Sequence, residues 1–269
     1  APSREQIGSV NIHRIGIGIP KIDKLWLAFF GYRFAQKLHR KNQYDAIWAV
    51  MASYGGFSAL FFKKKNPAIP YLLTLQEGDS PEHIMRKVGI FKKTFIQIFV
   101  KADYIQCISN FLAYWAKKMG TKCPVEVVPN GVDINKFSIF NFQFSKNELR
   151  ERFGIKENER VIITVSRLTG KNGVGDLIKA VSLWYGDLPL GRDRAGLALK
   201  GGLQQNLKLL IVGTGPLEKK LKLRTKNLKL QDRVIFLGDV PNDEVPKYLA
   251  IADVFVRPSL SEGLGNSFL

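Results

Sequence analysis

Three observations predict an α/β protein built on doubly wound parallel sheets. Short apolar runs recur along the chain, each fit for a buried strand, and amphipathic stretches of roughly ten or more residues separate them. Turn residues punctuate the boundaries: Asn130-Gly131, Gly213-Thr-Gly215 and Gly263-Leu-Gly265 each follow an apolar run. The alternation fades over 141–144 and restarts at Arg160, which divides the chain into two domains, residues 1–137 and 138–269.

In the first domain, Val10–Arg14, Ala46–Val50, Tyr71–Leu75 and Tyr104–Ile108 read as short buried strands. Helices are expected near Trp26–Leu38, from about Gly55 to Lys64, and over Ile90–Lys101. Ser109 is placed to cap a helix carrying Leu112, Trp115 and Ala116, and Gly120 to end it. The run Val127-Val-Pro-Asn-Gly-Val-Asp133 closes this half as a strand and a tight turn. Ser145 and Glu148 then have the spacing of a capping box, for a helix closed by Gly154.

In the second domain the expected strands are Val161–Val165, Leu207–Val212, Val234–Leu237 and Val254–Val256. Leu177, Ala180, Val181 and Trp184 share one face of the intervening helix, and Pro216 suits the first turn of the next. Residues 186–205 are long for a connection and read as an exposed insertion, or as a short extra helix over Ala195–Lys200.

Composition excludes several function classes. At 269 residues the chain can bury one large core or two ordinary ones. No apolar run approaches the roughly 20 residues of a membrane span, and no signal-peptide pattern opens the chain. Cys107 and Cys123 are too few for a disulfide framework, so a reducing cytoplasm is the expected location. His13, His39 and His83 lack metal-ligand spacing, and no Asp-x-Asp occurs to hold a divalent ion on a nucleotide sugar. The formal charge is +18, divided as +10 in residues 1–135 and +8 in the rest. This even spread suits anionic small molecules or lipid better than a dedicated nucleic-acid arm, and it also fits a solvated surface.

In a parallel sheet, ligands bind beyond the carboxyl ends of the strands, where the strand-to-helix loops of the second domain should converge. The first carries Arg167 and Lys171, two cations able to neutralise a diphosphate. The second carries Gly213, Thr214 and Gly215, whose glycines admit a phosphate or nucleotide to the backbone. The third carries Gly238-Asp239, and the fourth runs from Ser259 to Asn266. That last loop holds a carboxylate, Glu262, beside Gly263, Leu264, Gly265 and Asn266, ahead of an expected helix whose N–H groups favour an anion. Phosphate would be repelled by Glu262, so sugar hydroxyls are its natural partners. Singly, each feature has a plainer reading: a tight turn, a solvated basic pair, a helix-terminal carboxylate.

Read in order, Val165-Ser-Arg-Leu168 with Lys171-Asn-Gly173, Leu210-Ile-Val-Gly-Thr-Gly-Pro-Leu-Glu218, Val234-Ile-Phe-Leu-Gly238, Ala252-Asp253 and Arg257-Pro-Ser-Leu-Ser-Glu-Gly-Leu-Gly-Asn-Ser267 resemble family 4 of the GT-B glycosyltransferases, group 1. Pro129-Asn-Gly-Val-Asp133 matches as well, and the resemblance is specific over residues 100–269 and general before that. It implies GT-B architecture, two Rossmann-like domains, both incomplete here. The usual opening strand and glycine-rich loop are missing before Ala1, and the second glutamate of the signature would fall just after Leu269. It further implies retaining transfer of a sugar from a nucleoside diphosphate donor to an acceptor hydroxyl, without metal or other cofactor. Arg167 and Lys171 would stabilise the departing diphosphate, and Glu262 would hold donor sugar hydroxyls. The Gly213–Gly215 turn with Phe236, Leu237 and Gly238 would line the nucleoside, and the backbone of Gly263–Asn266 would assist.

Two departures from the family pattern stand out. Asn172 occupies the place before the glycine where many relatives have the lysine, and Gln76-Glu77-Gly78-Asp79 replaces a histidine after the third expected strand. Gln76 and Glu77 are therefore candidates for the acceptor or sugar side, with Asp79 an alternative to Glu77 toward the acceptor, and the polarity of a solvated loop is the plainer reading. The acceptor is expected to be a glycan or lipid-linked, at the cytoplasmic membrane face. A peripheral contact with anionic lipid is one reading of the face Phe91, Phe95, Ile98 and Ala102, and core packing is the other. A glycosyltransferase-like binding protein without activity is the alternative function. Nucleic-acid binding lacks a basic-aromatic module. A nicotinamide enzyme lacks its third glycine, replaced by Glu218.

Overall fold

The computed structural model describes residues 2–137, 146–185 and 206–269. Contacts divide the chain into two units, Ala1–Asn130 with Glu262–Asn266, and Gly131–Ser261 with Ser267–Leu269. The expected linker at 141–144, Ser145 and the expected insertion at 186–205 lie outside the described residues.

The first unit opens with β1 (Arg4–Ile7) and β2 (Val10–His13), followed by α1 (Pro20–Asn42), β3 (Ile47–Val50), α2 (Tyr54–Lys65), β4 (Tyr71–Leu75) and α3 (Pro81–Val88). A 3-10 turn (Gly89–Phe91) leads into α4 (Lys92–Val100), then β5 (Tyr104–Cys107), α5 (Asn110–Lys118) and β6 (Val125–Val127). Strands β3, β4, β5 and β6 form a parallel sheet in that order. Its centre is buried on both sides, with Tyr71, Leu73, Leu75, Ile105 and Cys107 against Leu60, Phe95, Ile98, Phe99 and Leu112. Phe95, Phe99 and Trp115 pack against one another through this core, with Phe99 and Trp115 ring centroids 5.1 Å apart. Ser109 caps α5 by accepting from the Leu112 N–H, and Gly120 follows the helix in the left-handed region, both as expected.

The structure refines the sequence reading of this unit at four points. The Val10 strand is not part of the parallel sheet: β2 pairs antiparallel with β1, and Val10 is 60% exposed. Val10 and Ile12 are its only apolar residues, too few to bury a face. Strand β3 is an edge strand on which Trp48 and Val50 remain exposed. The expected helix over Ile90–Lys101 begins with the 3-10 turn; of its apolar stripe, Phe95, Ile98 and Ala102 are buried in the core, in line with the core-packing reading, while Phe91 is 42% exposed. Helix α3 is not among the expected helices, although Ser80 caps it and Pro81 occupies its first turn.

The second unit contains α6 (Ile134–Phe137), α7 (Lys146–Arg152), β7 (Arg160–Val165), α8 (Val174–Trp184), β8 (Leu207–Val212), α9 (Glu218–Asn227), β9 (Val234–Gly238), α10 (Val245–Ala250) and β10 (Val254–Phe255). Its parallel sheet has the order β10-β7-β8-β9. Alternation along β8 sends Leu207, Leu209 and Ile211 to one apolar cluster and Leu210 and Val212 to the other, so helices cover both faces. Asp253 fixes β10 beside β7, accepting from the Val161 N–H at 2.8 Å and from Arg160 at 3.1 Å.

Here too the sequence reading needs adjustment. The buried stripe of α8 is Val174, Leu177, Ile178 and Val181, one turn earlier than expected, while Ala180 and Trp184 are exposed. Pro216 precedes α9 instead of lying in its first turn. Beyond Gly265 the described chain forms a single 3-10 turn, Asn266–Phe268, where a helix was expected.

Candidate functional site

The chain passes from β7 through β8 to β9 in one direction and returns to place β10 on the other side of β7. That reversal is a topological switch point, the position in an open parallel sheet where adjacent loops diverge and leave room for a ligand. The loops after β7 and β10 are the two that flank it.

The β7 loop carries Arg167 and Lys171. Arg167 is exposed, Lys171 is half-buried, and both belong to a segment held by its own backbone. The Arg167 carbonyl accepts from the Thr169 N–H at 2.8 Å and from the Asn172 side chain at 2.5 Å. The loop after β10 joins it where the Leu260 N–H donates to the Lys171 carbonyl at 2.7 Å. Arg257, quoted in the sequence signature without a role, links the same two loops. Its guanidinium donates to the Val165 carbonyl at 3.1 Å and to the hydroxyls of Ser259 at 3.3 Å and Ser267 at 2.5 Å. An arginine directly after a buried strand run was the available signal.

The glycine turn after β8 lies against the β7 loop. Gly213 has φ 119°, and a Cβ there would collide with the Ser166 carbonyl, so the position needs glycine both for backbone conformation and for space. A Cβ on Gly215 would stand 2.5 Å from the Leu168 carbonyl. Thr214 is exposed, and its carbonyl accepts from the Leu168 N–H at 2.9 Å. The Gly213 N–H donates to Gly238 at 2.7 Å, which brings the third loop alongside. Phe236 and Leu237 sit half-buried on opposite faces of β9, each packed against a core cluster, and Lys222 lies over the Phe236 ring. The second unit therefore assembles Arg167, Lys171, Gly213, Thr214, Gly215 and Gly238 along one sheet edge.

Glu262, Gly263, Leu264, Gly265 and Asn266 group with the first unit. Gly263 packs so closely on the Glu77 carbonyl that no Cβ would fit, and Leu264 joins the apolar core. Asn266 accepts from Asn130 at 2.8 Å. Glu262 is half-buried.

Gln76 is exposed beyond the end of β4, whereas Glu77 beside it is 5% exposed. One Glu77 oxygen accepts from the Ala52 N–H at 2.5 Å, where β3 turns into α2, and the other has no protein partner. Burial raises the carboxyl above its ordinary range, opposed by the backbone N–H groups of Ala52, Glu77 and Gln76. The Cys107 thiol is pushed up to about 12, by burial first and then by the charges of Glu77 and Cys123. Among the described residues, no three His, Cys, Asp or Glu side chains come together as a metal-binding group.

Comparisons with known proteins agree with this architecture. Residues 1–136 match the family model Glycosyltransferase Family 4, and residues 145–269 match Glycosyl transferases group 1. A Bacillus subtilis protein provisionally named a teichuronic acid biosynthesis glycosyltransferase is 30% identical over 220 residues, 82% of this chain and 48% of its own length. An alpha-monoglucosyldiacylglycerol synthase of Streptococcus pneumoniae is 24% identical over 249 residues, 90% of this chain and 53% of the relative. The chain thus spans about half the length of the curated relatives it matches. In fold, the crystal structure of Anabaena HepE in complex with UDP and glucose superposes with a TM-score of 0.63 at 22% identity, over 87% of this chain and 58% of that one. Two parallel α/β units, family matches over both halves and GT-B glycosyltransferase neighbours make this chain a member of glycosyltransferase family 4.

Proposed function

We propose that the whole protein is a retaining glycosyltransferase that moves a sugar from a nucleoside diphosphate sugar to an acceptor hydroxyl. The observation that carries this reading is the clamped loop at the switch point, which holds Arg167 and Lys171 beside the Gly213–Gly215 turn. Negative charge develops on the departing diphosphate, and two fixed cations stabilise it there without reorganisation during the reaction. This supplies the charge neutralisation that a divalent ion provides elsewhere, so transfer proceeds without metal. Glu262 accepts hydrogen bonds from donor sugar hydroxyls, with the backbone of Gly263, Leu264, Gly265 and Asn266 close by. Gly213, Thr214, Gly215, Phe236, Leu237 and Gly238 form the nucleoside side. Gln76 and Glu77 lie on the acceptor or sugar side.

The acceptor in this reading is a cell-envelope glycan or a lipid-linked glycan. The names of the two relatives support that class, one referring to teichuronic acid and the other to a glucosyldiacylglycerol. No helix among the described residues is long and apolar enough to cross a membrane. Contact with the inner face of the cell membrane would then be peripheral, and α1 is the surface that suits it. Ile22, Leu25, Trp26 and Phe30 are exposed at helical spacing, with Trp26 and Phe30 rings 4.7 Å apart. Beyond them Arg33, Lys37 and Arg40, with Lys65, line a groove of about 310 Å³ that contains no carboxylate. An apolar ridge continued by cations complements an anionic bilayer.

Release of nucleoside diphosphate from a panel of UDP-, GDP- and ADP-sugars, with and without lipid and glycan acceptors, tests the enzymatic reading. Acceptor-dependent release from one donor is expected, falling roughly hundredfold to thousandfold in Arg167→Ala. Donor binding without turnover by the whole protein would favour a glycosyltransferase-like binding protein. Cosedimentation with phosphatidylglycerol vesicles should fade with salt and in an Arg33, Lys37, Arg40→Glu variant. Its absence at low salt would remove the membrane contact.

A further inference from the structure

We infer that Asn172 is a positioning residue that sets the spacing of Arg167 and Lys171, an inference that rests on reading those two cations as diphosphate ligands. Asn172 is 3% exposed and ends the 3-10 turn Gly170–Asn172. Its amide nitrogen donates to the Arg167 carbonyl at 2.5 Å, and its backbone N–H donates to the Thr169 carbonyl at 3.2 Å. Residues 167–172 are thereby closed into a ring by a side chain. Without that bond, the Thr169 N–H alone would hold the Arg167 carbonyl from within the loop.

The ring matters because of what hangs on it. Two like charges four residues apart repel one another, and a loop free to open would let them separate. A ligand would then have to bring them together at its own cost, which preorganisation removes. The neighbouring loops hold the ring at either end. Leu168 donates to the Thr214 carbonyl and receives Leu217 on its own, while the Lys171 carbonyl receives Leu260. Asn172 is the side chain that ties these two ends together.

The residue type is informative. The Asn172 Oδ1 is buried without a partner, which carries a desolvation cost that an apolar side chain of similar size would avoid. Packing alone therefore gives no reason for asparagine here, whereas a neutral donor aimed at a backbone carbonyl does. A lysine at this position would add a third cation, and an aspartate would face the carbonyl with oxygen and partly cancel the field of the pair.

The test compares wild type with Asn172→Ala and the isosteric Asn172→Asp by calorimetry. The titrants are a nucleoside diphosphate and its parent nucleoside, across uracil, guanine and adenine. The expected result is a roughly tenfold to hundredfold loss of diphosphate affinity with nucleoside affinity unchanged. A merely structural role would lower nucleoside affinity in parallel, so the nucleoside titration is the readout that separates positioning from loss of the loop. Unchanged diphosphate affinity, or parallel loss of nucleoside affinity, would overturn the inference. Amide hydrogen exchange separates this from failure of the diphosphate reading itself. If wild type binds no nucleoside diphosphate, that reading fails. Faster exchange confined to the Thr169 and Leu260 amides in the variants would still support Asn172 as the clamp, and unchanged exchange would overturn it.

Discussion

Glu77 and Cys107 show how burial, invisible in a linear sequence, changes what a residue can do. Glu77 binds a proton more tightly in the folded protein than in the unfolded chain, because burial disfavours its charged form. Its contribution to stability is fully present below the ordinary carboxyl value of 4.5 and is lost as pH rises through the raised folded value. Chemical denaturation of Glu77→Gln across pH 4 to 8 should flatten that part of the wild-type profile; an unaltered slope would mean the carboxyl is not the group responsible. Cys107, fully buried and with its thiol at about 12, should resist thiol reagents at pH 8 in the native state, while half-buried Cys123 reacts. Two thiols labelled without denaturant would contradict this. The polarity of the Gln76–Asp79 loop was legible from the sequence. The group that bonds Glu77 was not, because Ala52 lies 25 residues upstream, in the loop between β3 and α2.

At the scale of elements, caps and strand runs were readable because they depend on neighbours in sequence. Ser109 is the clearest instance, and Ser109→Ala should cost about 1 kcal/mol in a thermal or denaturant melt. The second sheet was legible down to its four strands, since each is a predominantly apolar run in a sheet whose centre is covered on both faces. What failed was phase and context. The stripe of α8 could be drawn from Val174 or from Leu177 on periodicity, and only the sheet beneath decides between them. Strand β3 has the composition of a core strand yet lies at a sheet edge, and β2, with only Val10 and Ile12 apolar, forms a separate hairpin. The Gly213 turn is legible as a close approach, but what it approaches, the Ser166 carbonyl, emerges only when β7 and β8 are adjacent. Gly213→Ala should disrupt that packing and cost about 1–3 kcal/mol from its backbone conformation alone. A melt indistinguishable from wild type would show that the loop tolerates the shift.

Across the whole molecule, each unit carries its own apolar core and its own parallel sheet, which is why the alternation of strands and helices along the sequence marks a two-part chain. The charge of +18 has no single seat. It is spread over both halves, and the groove between α1 and the end of α2 gathers four cations without a carboxylate. The most direct test lies in the second unit. Calorimetric titration of the chain with UDP, GDP and ADP, and with the matching nucleosides, asks whether the loops at the switch point bind a diphosphate. Selective binding of one nucleoside diphosphate, much weaker for its nucleoside and lost in Arg167→Ala, is the predicted result. Diphosphate binding that matches the bare nucleoside and survives Arg167→Ala would contradict the assignment of Arg167 and Lys171 to the leaving group.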